Sequence, residues 1–154
     1  MSHAHHGHHH SKAELIAYAE RQAAALRQRW TSTRAEAYDA LLDHDAPITA
    51  YALLEYLSVR HSRDIKPASV YRALEALCDI GVVVKIESLN AFRACRHPRE
   101  DHQHVFLVCD GCGHTDEIAD HGIGKKLTSD AAAHGFRTAR QVLELHGSCR
   151  DCQK

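Results

Sequence analysis

No run of apolar residues in this chain approaches the twenty or so needed for a membrane-spanning helix, so an integral helical membrane protein is excluded. A secretory leader is also missing, because the first ten residues, MSHAHHGHHH, contain no apolar stretch; the expected location is the cytoplasm. Nor is there surplus positive charge. Nineteen Lys and Arg stand against twenty Asp and Glu, a net −1 with His neutral, and the two halves are similarly balanced. Such a chain does not coat nucleic acid through bulk charge, and any DNA binding has to come from a local cationic surface and a fitted helix. Hydrophobic residues at 44% exclude global disorder. A length of 154 residues suits one ordinary domain, or two small ones that share stabilisation with a metal or a partner chain.

Cysteine and histidine are abundant, at 6 and 15 residues. Four cysteines form two CxxC pairs, Cys109/Cys112 and Cys149/Cys152. Without an export signal, paired CxxC motifs favour zinc over disulfides. Residues 1–11 are a His-rich tail expected to be disordered. Composition leaves both an expression tag and a native segment open for it, with Ala4 and Gly7 interrupting the histidines.

The remaining pattern divides into a domain at 12–96, a polar hinge at 97–103 and a second domain at 104–154. Leu15, Ala19, Leu26 and Trp30 recur at helical spacing, which predicts a helix over 12–30. Thr33 and Glu36 read as a capping box for a second helix to about Asp43. After the turn at His44–Pro47, Thr49 caps a third helix that buries Ala50, Leu53, Leu54 and Leu57. Pro67 suits the first turn of a fourth, in which Val70, Ala73, Leu74 and Leu77 form a buried stripe. Ser69, Arg72 and Ala76 then face outward, with Tyr71 and Glu75 at the flanks, and Gly81 stops the helix. Val82–Glu87 and Ala91–Cys95 read as a β-hairpin. Helices followed by a hairpin give the order of a winged helix-turn-helix, with the fourth helix for recognition. The second domain reads as strand (His104–Cys109), CxxC turn, strand (His114–Ile118), helix (about Gly122–His134), strand (Arg137–Leu145) and final CxxC. The fold class is therefore α+β: a winged helix followed by a small α/β domain with a three-stranded sheet and a four-cysteine zinc site. That second domain is too small to stand alone and needs its zinc or a partner.

A closed tetrahedron of thiolates is what structural zinc prefers, and two CxxC turns complete it. The gap between the pairs is far longer than in a zinc finger, so the ion would tie the end of this sequence to an internal turn. A redox pair normally opens a helix, which neither motif does. A looser cluster comprises Cys95, His102, His104 and Glu117. One sulfur with imidazole and carboxylate suits zinc and disfavours harder iron or manganese. The alternative for these residues is a buried cysteine with solvated hinge histidines. His97, His114, His121, His134 and His146 read as surface residues, and Cys78 as a small core residue. Arg72, outward and mid-helix, is the candidate for bidentate pairing with guanine. Tyr51, Lys66 and Tyr71 are candidates for phosphate or thymine contacts, and Ser69 shares their face.

Three segments resemble the ferric uptake regulator superfamily, and together they are highly specific: Lys66–Leu74, the stretch His102–Gly113, and Glu144–Cys152. The likeness extends over about residues 12–152. The wing Lys85–Asn90 followed by Cys95 is similar to the zinc uptake regulator branch; iron sensors usually carry a harder glutamate there. The resemblance implies a homodimer that binds palindromic double-stranded operators and represses zinc-uptake genes when zinc is plentiful. It assigns structural zinc to Cys109, Cys112, Cys149 and Cys152, and regulatory zinc to Cys95, His102 and Glu117, one ion of each kind per chain. No enzyme activity, membrane partner or small-molecule substrate is implied. Val84 stands where some members of that branch place a ligand histidine, so the fourth regulatory ligand falls to His104 or a first-domain histidine such as His44 or His61. Arg140 replaces a histidine of a further metal site, which is not expected here. The competing readings are an iron or peroxide sensor of the same superfamily, a zinc hydrolase using His102, His104 and Glu117, and a zinc buffer built on the histidine tail.

Overall fold

The computed structural model describes residues 10–96, 98, 104–119, 122–139 and 141–153. The chain divides into two compact units, with the boundary between residues 99 and 100.

In the first unit, α1 (Lys12–Ala25) starts at a reciprocal capping box between Ser11 and Glu14. The helix was expected to reach Trp30. It stops at Ala25 because Arg27 turns left-handed (φ 53°), and Gln28 N–H closes back on Ala23 O at 2.7 Å. Trp30 still reaches the core from the following loop. α2 (Ser32–Asp43) is capped by Thr31, not Thr33. Starting two residues earlier adds about half a helical turn and leaves Glu36 available to pair with Arg63. α3 (Ala50–Arg60) is capped by Thr49, as expected.

α4 (Pro67–Asp79) buries Val70, Ala73, Leu74 and Leu77. It also buries Ala76, which was expected outside. α2, α3 and the first wing strand all pack on α4, so its buried arc is wider than one stripe. Gly81, at φ +76°, follows the helix end. The wing strands β2 (Val83–Ile86) and β3 (Ala91–Ala94) pair antiparallel around a single helical turn and a left-handed Asn90. A two-residue strand, β1 (Ile48–Thr49), adds to β3 to give the order β1-β3-β2. Naming strands in chain order, the first unit thus holds β1 to β3 and α1 to α4.

The second unit contains β4 (His104–Cys109), β5 (Thr115–Ala119), α5 (Ile123–Ala133) and β6 (Leu143–Gly147). The sheet order is β5-β4-β6. β4 pairs antiparallel with β5 across the first CxxC turn and parallel with β6, for which α5 supplies the crossover. β6 lies later than the expected 137–145. Its register is fixed by the pairing of Cys109 with Gly147, which brings the second CxxC alongside the first. No helix among the described residues is long and apolar enough to cross a membrane.

Candidate metal centre and nucleic-acid interface

The four paired cysteines converge. The ligand atoms of Cys109, Cys112, Cys149 and Cys152 all lie within 4.8 Å of one another. Zn–S bonds of about 2.3 Å in a tetrahedron put sulfurs about 3.8 Å apart; Cys112 Sγ and Cys149 Sγ are 3.7 Å apart. The donor set and its spacing fit zinc.

Backbone geometry prepares this site. Cys109 N–H bonds His114 O at 2.9 Å and Gly113 N–H bonds Cys109 O at 2.9 Å, closing the first turn. Gly113 takes φ +72°, a conformation that suits glycine. A Cβ on Gly111 would lie 3.2 Å from Cys152 Sγ, so the turn's close approach to the sulfur depends on glycine there. Cys149 N–H donates to Cys109 Sγ at 3.3 Å. That bond, with backbone N–H groups of Cys112 and Gly111, brings the Cys109 thiol down to about 6. Cys152 is pushed up to about 12 by sharing protons with Cys149, Cys112 and Cys109. For Cys112, the His114 N–H favours the thiolate, but the neighbouring Cys109 and Cys149 sulfurs outweigh it and raise the thiol. Four sulfurs this close do not all ionise unaided, and a dication supplies what lets them.

A feature that spacing did not reveal flanks the centre. His146 spans two carboxylates, Nδ1 to Asp110 at 3.0 Å and Nε2 to Glu144 at 3.3 Å, which ties β6 to the first CxxC turn. The hydrogen bond to Asp110, then that to Glu144, raises its imidazole above the ordinary range. His146, His114 and His134 are exposed as expected, whereas His97 and His121 lie outside the described residues.

The looser cluster is only partly described. Cys95 is buried in the first unit and Glu117 is half-buried on β5 in the second. His102 lies outside the described residues, as does the side chain of His104, whose backbone opens β4. Arg140 is also outside them. Val84 pairs with Arg93 across the wing, so a cation neighbours the position where a ligand histidine would stand. His44 donates through Nδ1 to Ala40 O at 2.7 Å and meets Tyr56 edge-on. His61 Nε2 lies 4.0 Å from Glu36.

On α4, Lys66, Tyr71 and Arg72 are exposed and Ser69 is half-buried. Lys66 is the N-cap and makes no side-chain capping bond; Pro67 has no N–H and Ser69 N–H bonds Lys66 O at 2.9 Å, so what the helix start offers an external anion such as phosphate is chiefly the positive end of its dipole. Tyr51, 66% exposed at the start of α3, lines the same surface hollow as Pro67. The first unit thus places Tyr51 beside the start of α4, and Tyr71 and Arg72 exposed further along the same helix.

Comparison with known proteins agrees with this geometry. Residues 26–146 match the ferric uptake regulator family. The zinc uptake regulation protein of Escherichia coli K12 is 35% identical over 140 residues, covering 90% of this chain and 81% of that one. A solved zinc uptake regulator complexed with zinc and DNA superimposes with a TM-score of 0.81 at 34% identity, over 93% of this chain and 95% of that one. Holo XcZur gives 0.74 at 38% identity, over 89% and 95%.

Proposed function

Since the chain belongs to the ferric uptake regulator family, we propose that it is a zinc-responsive DNA-binding transcription regulator that represses zinc-uptake genes when zinc is bound. One observation carries this reading: similarity over nearly the whole chain to a regulator holding both zinc and DNA. The iron and peroxide alternatives are not favoured by the relatives above. The four cysteines form a closed set of thiols, which suits a structural ion and not a catalytic one.

The first unit acts as the DNA-binding half. α4 enters the major groove, Arg72 reads a base, and Lys66, Ser69, Tyr71 and Tyr51 position the helix on the backbone. The second unit acts as the dimerising half, and two copies set the spacing for a palindromic operator. Cys109, Cys112, Cys149 and Cys152 hold the structural zinc. Cys95, His102 and Glu117 hold the regulatory zinc, with His104 as the fourth ligand. When bound there, zinc supplies the differential that favours the DNA-competent arrangement, about 5 kcal/mol for a near-complete shift. Of these ligands the Cys95 thiol must lose its proton to bind, while the imidazoles bind in their neutral form and Glu117 as the carboxylate.

An operator mobility shift against buffered free zinc, beside iron and manganese, tests the reading. Wild type is expected to bind as free zinc rises and not with the other metals. Cys95→Ser is expected to keep its structural zinc and dimer yet lose the response. Full zinc response in Cys95→Ser, with metal content unchanged, would overturn the regulatory assignment.

A further inference from the structure

The segment that leaves the wing is fastened to the body of the first unit at three points. Cys95 N–H bonds Val82 O at 2.9 Å, which carries the pairing of the wing past β3. Arg96 Nη2 donates to the Leu42 carbonyl at 3.3 Å and to the Asp45 carboxylate at 2.9 Å. Leu42 lies in the last turn of α2, where carbonyls lack a helical partner and the helix dipole favours a cation. Tyr18, whose ring packs against the core from α1, donates its hydroxyl to Pro98 O at 2.9 Å. The polar hinge expected to begin at residue 97 is thus still tied to the first unit at Pro98.

Fastening sets the length of the covalent tether between the two units. From Pro98 to His104, where β4 opens, the chain can span at most about 21 Å. Held only as far as Cys95, it could span about 32 Å. The range of placements open to tethered bodies grows as about the 3/2 power of tether length, so the fastening removes about a twofold freedom from each chain. It also fixes the point on the first unit from which the tether departs.

We propose that Tyr18 and Arg96 are specificity-determining residues: by keeping this tether short they make the protein discriminate between operators by the spacing of their half-sites. The proposal rests on the reading of the chain as a dimeric DNA-binding regulator. In that reading two first units hang from one paired core, and each α4 enters its own stretch of major groove. Moving one half-site by a base pair shifts it about 3.4 Å along the duplex and turns it about 35° around the axis. A short tether absorbs less of that displacement than a long one. Neither residue needs to touch DNA for this, because each acts through the segment that it holds.

The test uses the full-length protein with its zinc. The probe is an inverted repeat that wild type selects from random duplexes, beside the same repeat with its halves one base pair closer or further apart. Wild type is expected to bind the respaced duplexes about tenfold more weakly, as for one lost base contact. Tyr18→Phe/Arg96→Ala should narrow that ratio to about threefold, and its affinity for the selected repeat should fall about two- to fourfold. Loss of the Arg96 charge alone would weaken every duplex alike, so the ratio reports the fastening and not the charge. Hydrogen exchange of the peptide that ends at Pro98 should quicken. Zinc content and the melting temperature of the first unit should stay at wild-type level, because the Arg96–Asp45 pair is solvent-screened and phenylalanine keeps the ring. Should the double variant not fold, Tyr18→Phe and Arg96→Ala carry the same comparison singly. An unchanged spacing ratio in a variant with faster exchange would overturn the proposal, as would unchanged exchange. A wild type that selects no inverted repeat would instead overturn the dimeric reading on which the proposal rests.

Discussion

Leu41, Leu53, Leu57, Leu74 and Leu77 close the first unit around apolar contacts, whereas the second unit buries little beyond Val105, Phe106, Val108 and Cys109. Ile123, Leu127, Phe136, Val142 and Leu145 are exposed in the single chain, all within the smaller unit. The first unit also exposes Leu26, Tyr51, Val59 and Tyr71, but it closes a large apolar core within itself. The second spends its sequence on a metal cradle and leaves apolar surface for a partner, which fits the proposed dimerising role. Stability in the two units should therefore respond to different insults.

The largest expected effect breaks the second unit alone. Structural zinc contributes roughly 10–16 kcal/mol of apparent binding free energy in small zinc domains, and here that energy holds β4 and β6 together at one end. Cys149→Ser, or strong chelation, is expected to remove one zinc per chain, dissociate the dimer and unfold residues 104–153. The helical first unit should remain. Metal analysis, sedimentation and hydrogen exchange by segment check this; a metal-free chain that stays a folded dimer would contradict it.

Next comes the reciprocal insult. Leu74→Ala opens a cavity in the core of the first unit and should cost about 2–5 kcal/mol. Its melting transition should fall while the four-cysteine zinc content stays at wild-type level. Loss of zinc in this variant would show that the two units are not energetically separate.

The same contrast explains what could be read from the sequence. Helices α1 to α4 were legible because apolar side chains recur at helical spacing and Ser or Thr stands before each of the first three. Three successive hydroxyl residues, Thr31 to Thr33, made the α2 cap ambiguous, since each is a competent acceptor. β1 was not legible, because two residues cannot display alternation. The four-cysteine site was legible in full, since two CxxC turns form a closed set. The β6 register was not: Cys109 opposite Gly147 is a long-range pairing that no local pattern encodes. His146 was read as a surface residue, and exposed it is; its two carboxylate partners arrive only with the sheet. Arg72 was legible as exposed on helix periodicity, and Ala76 was missed because the packing of three elements on α4 is tertiary.

A smaller effect sharpens the role of α4. Arg72→Ala is expected to weaken specific operator binding by about 1–3 kcal/mol and relax preference at one base. Lys66→Ala should weaken all sequences alike and reduce the salt slope by about 1. Neither should alter zinc content or the first unit's melting. An Arg72→Ala protein that binds its operator as wild type does would place base reading on another face.

The smallest effect concerns charges in the first unit. Lys12 Nζ bonds Asp43 at 2.6 Å and Asp39 at 2.8 Å, and Arg60 completes the network at 3.1 Å from Asp39 and 3.3 Å from Asp43. It links α1, α2 and α3 at the surface. The hydrogen bond from Lys12, with help from Arg60, holds the Asp43 carboxyl below its ordinary range. A depressed carboxyl contributes stability that is present above its unfolded pKa, near 3.8, and is lost as pH falls through the lower folded value. These side chains are 31% to 40% exposed, so solvent screens the network and Lys12→Met should cost at most about 1 kcal/mol. The second unit should fail at higher pH, because thiolate ligands take up protons and release their zinc before the carboxylates titrate. Acid titration followed by zinc release and by helical signal should then show two steps, zinc first. Lys12→Met should move only the second step, and only slightly. A single coincident transition, or a first step that moves with Lys12→Met, would mean that the two units fall together and that their separate sources of stability are coupled.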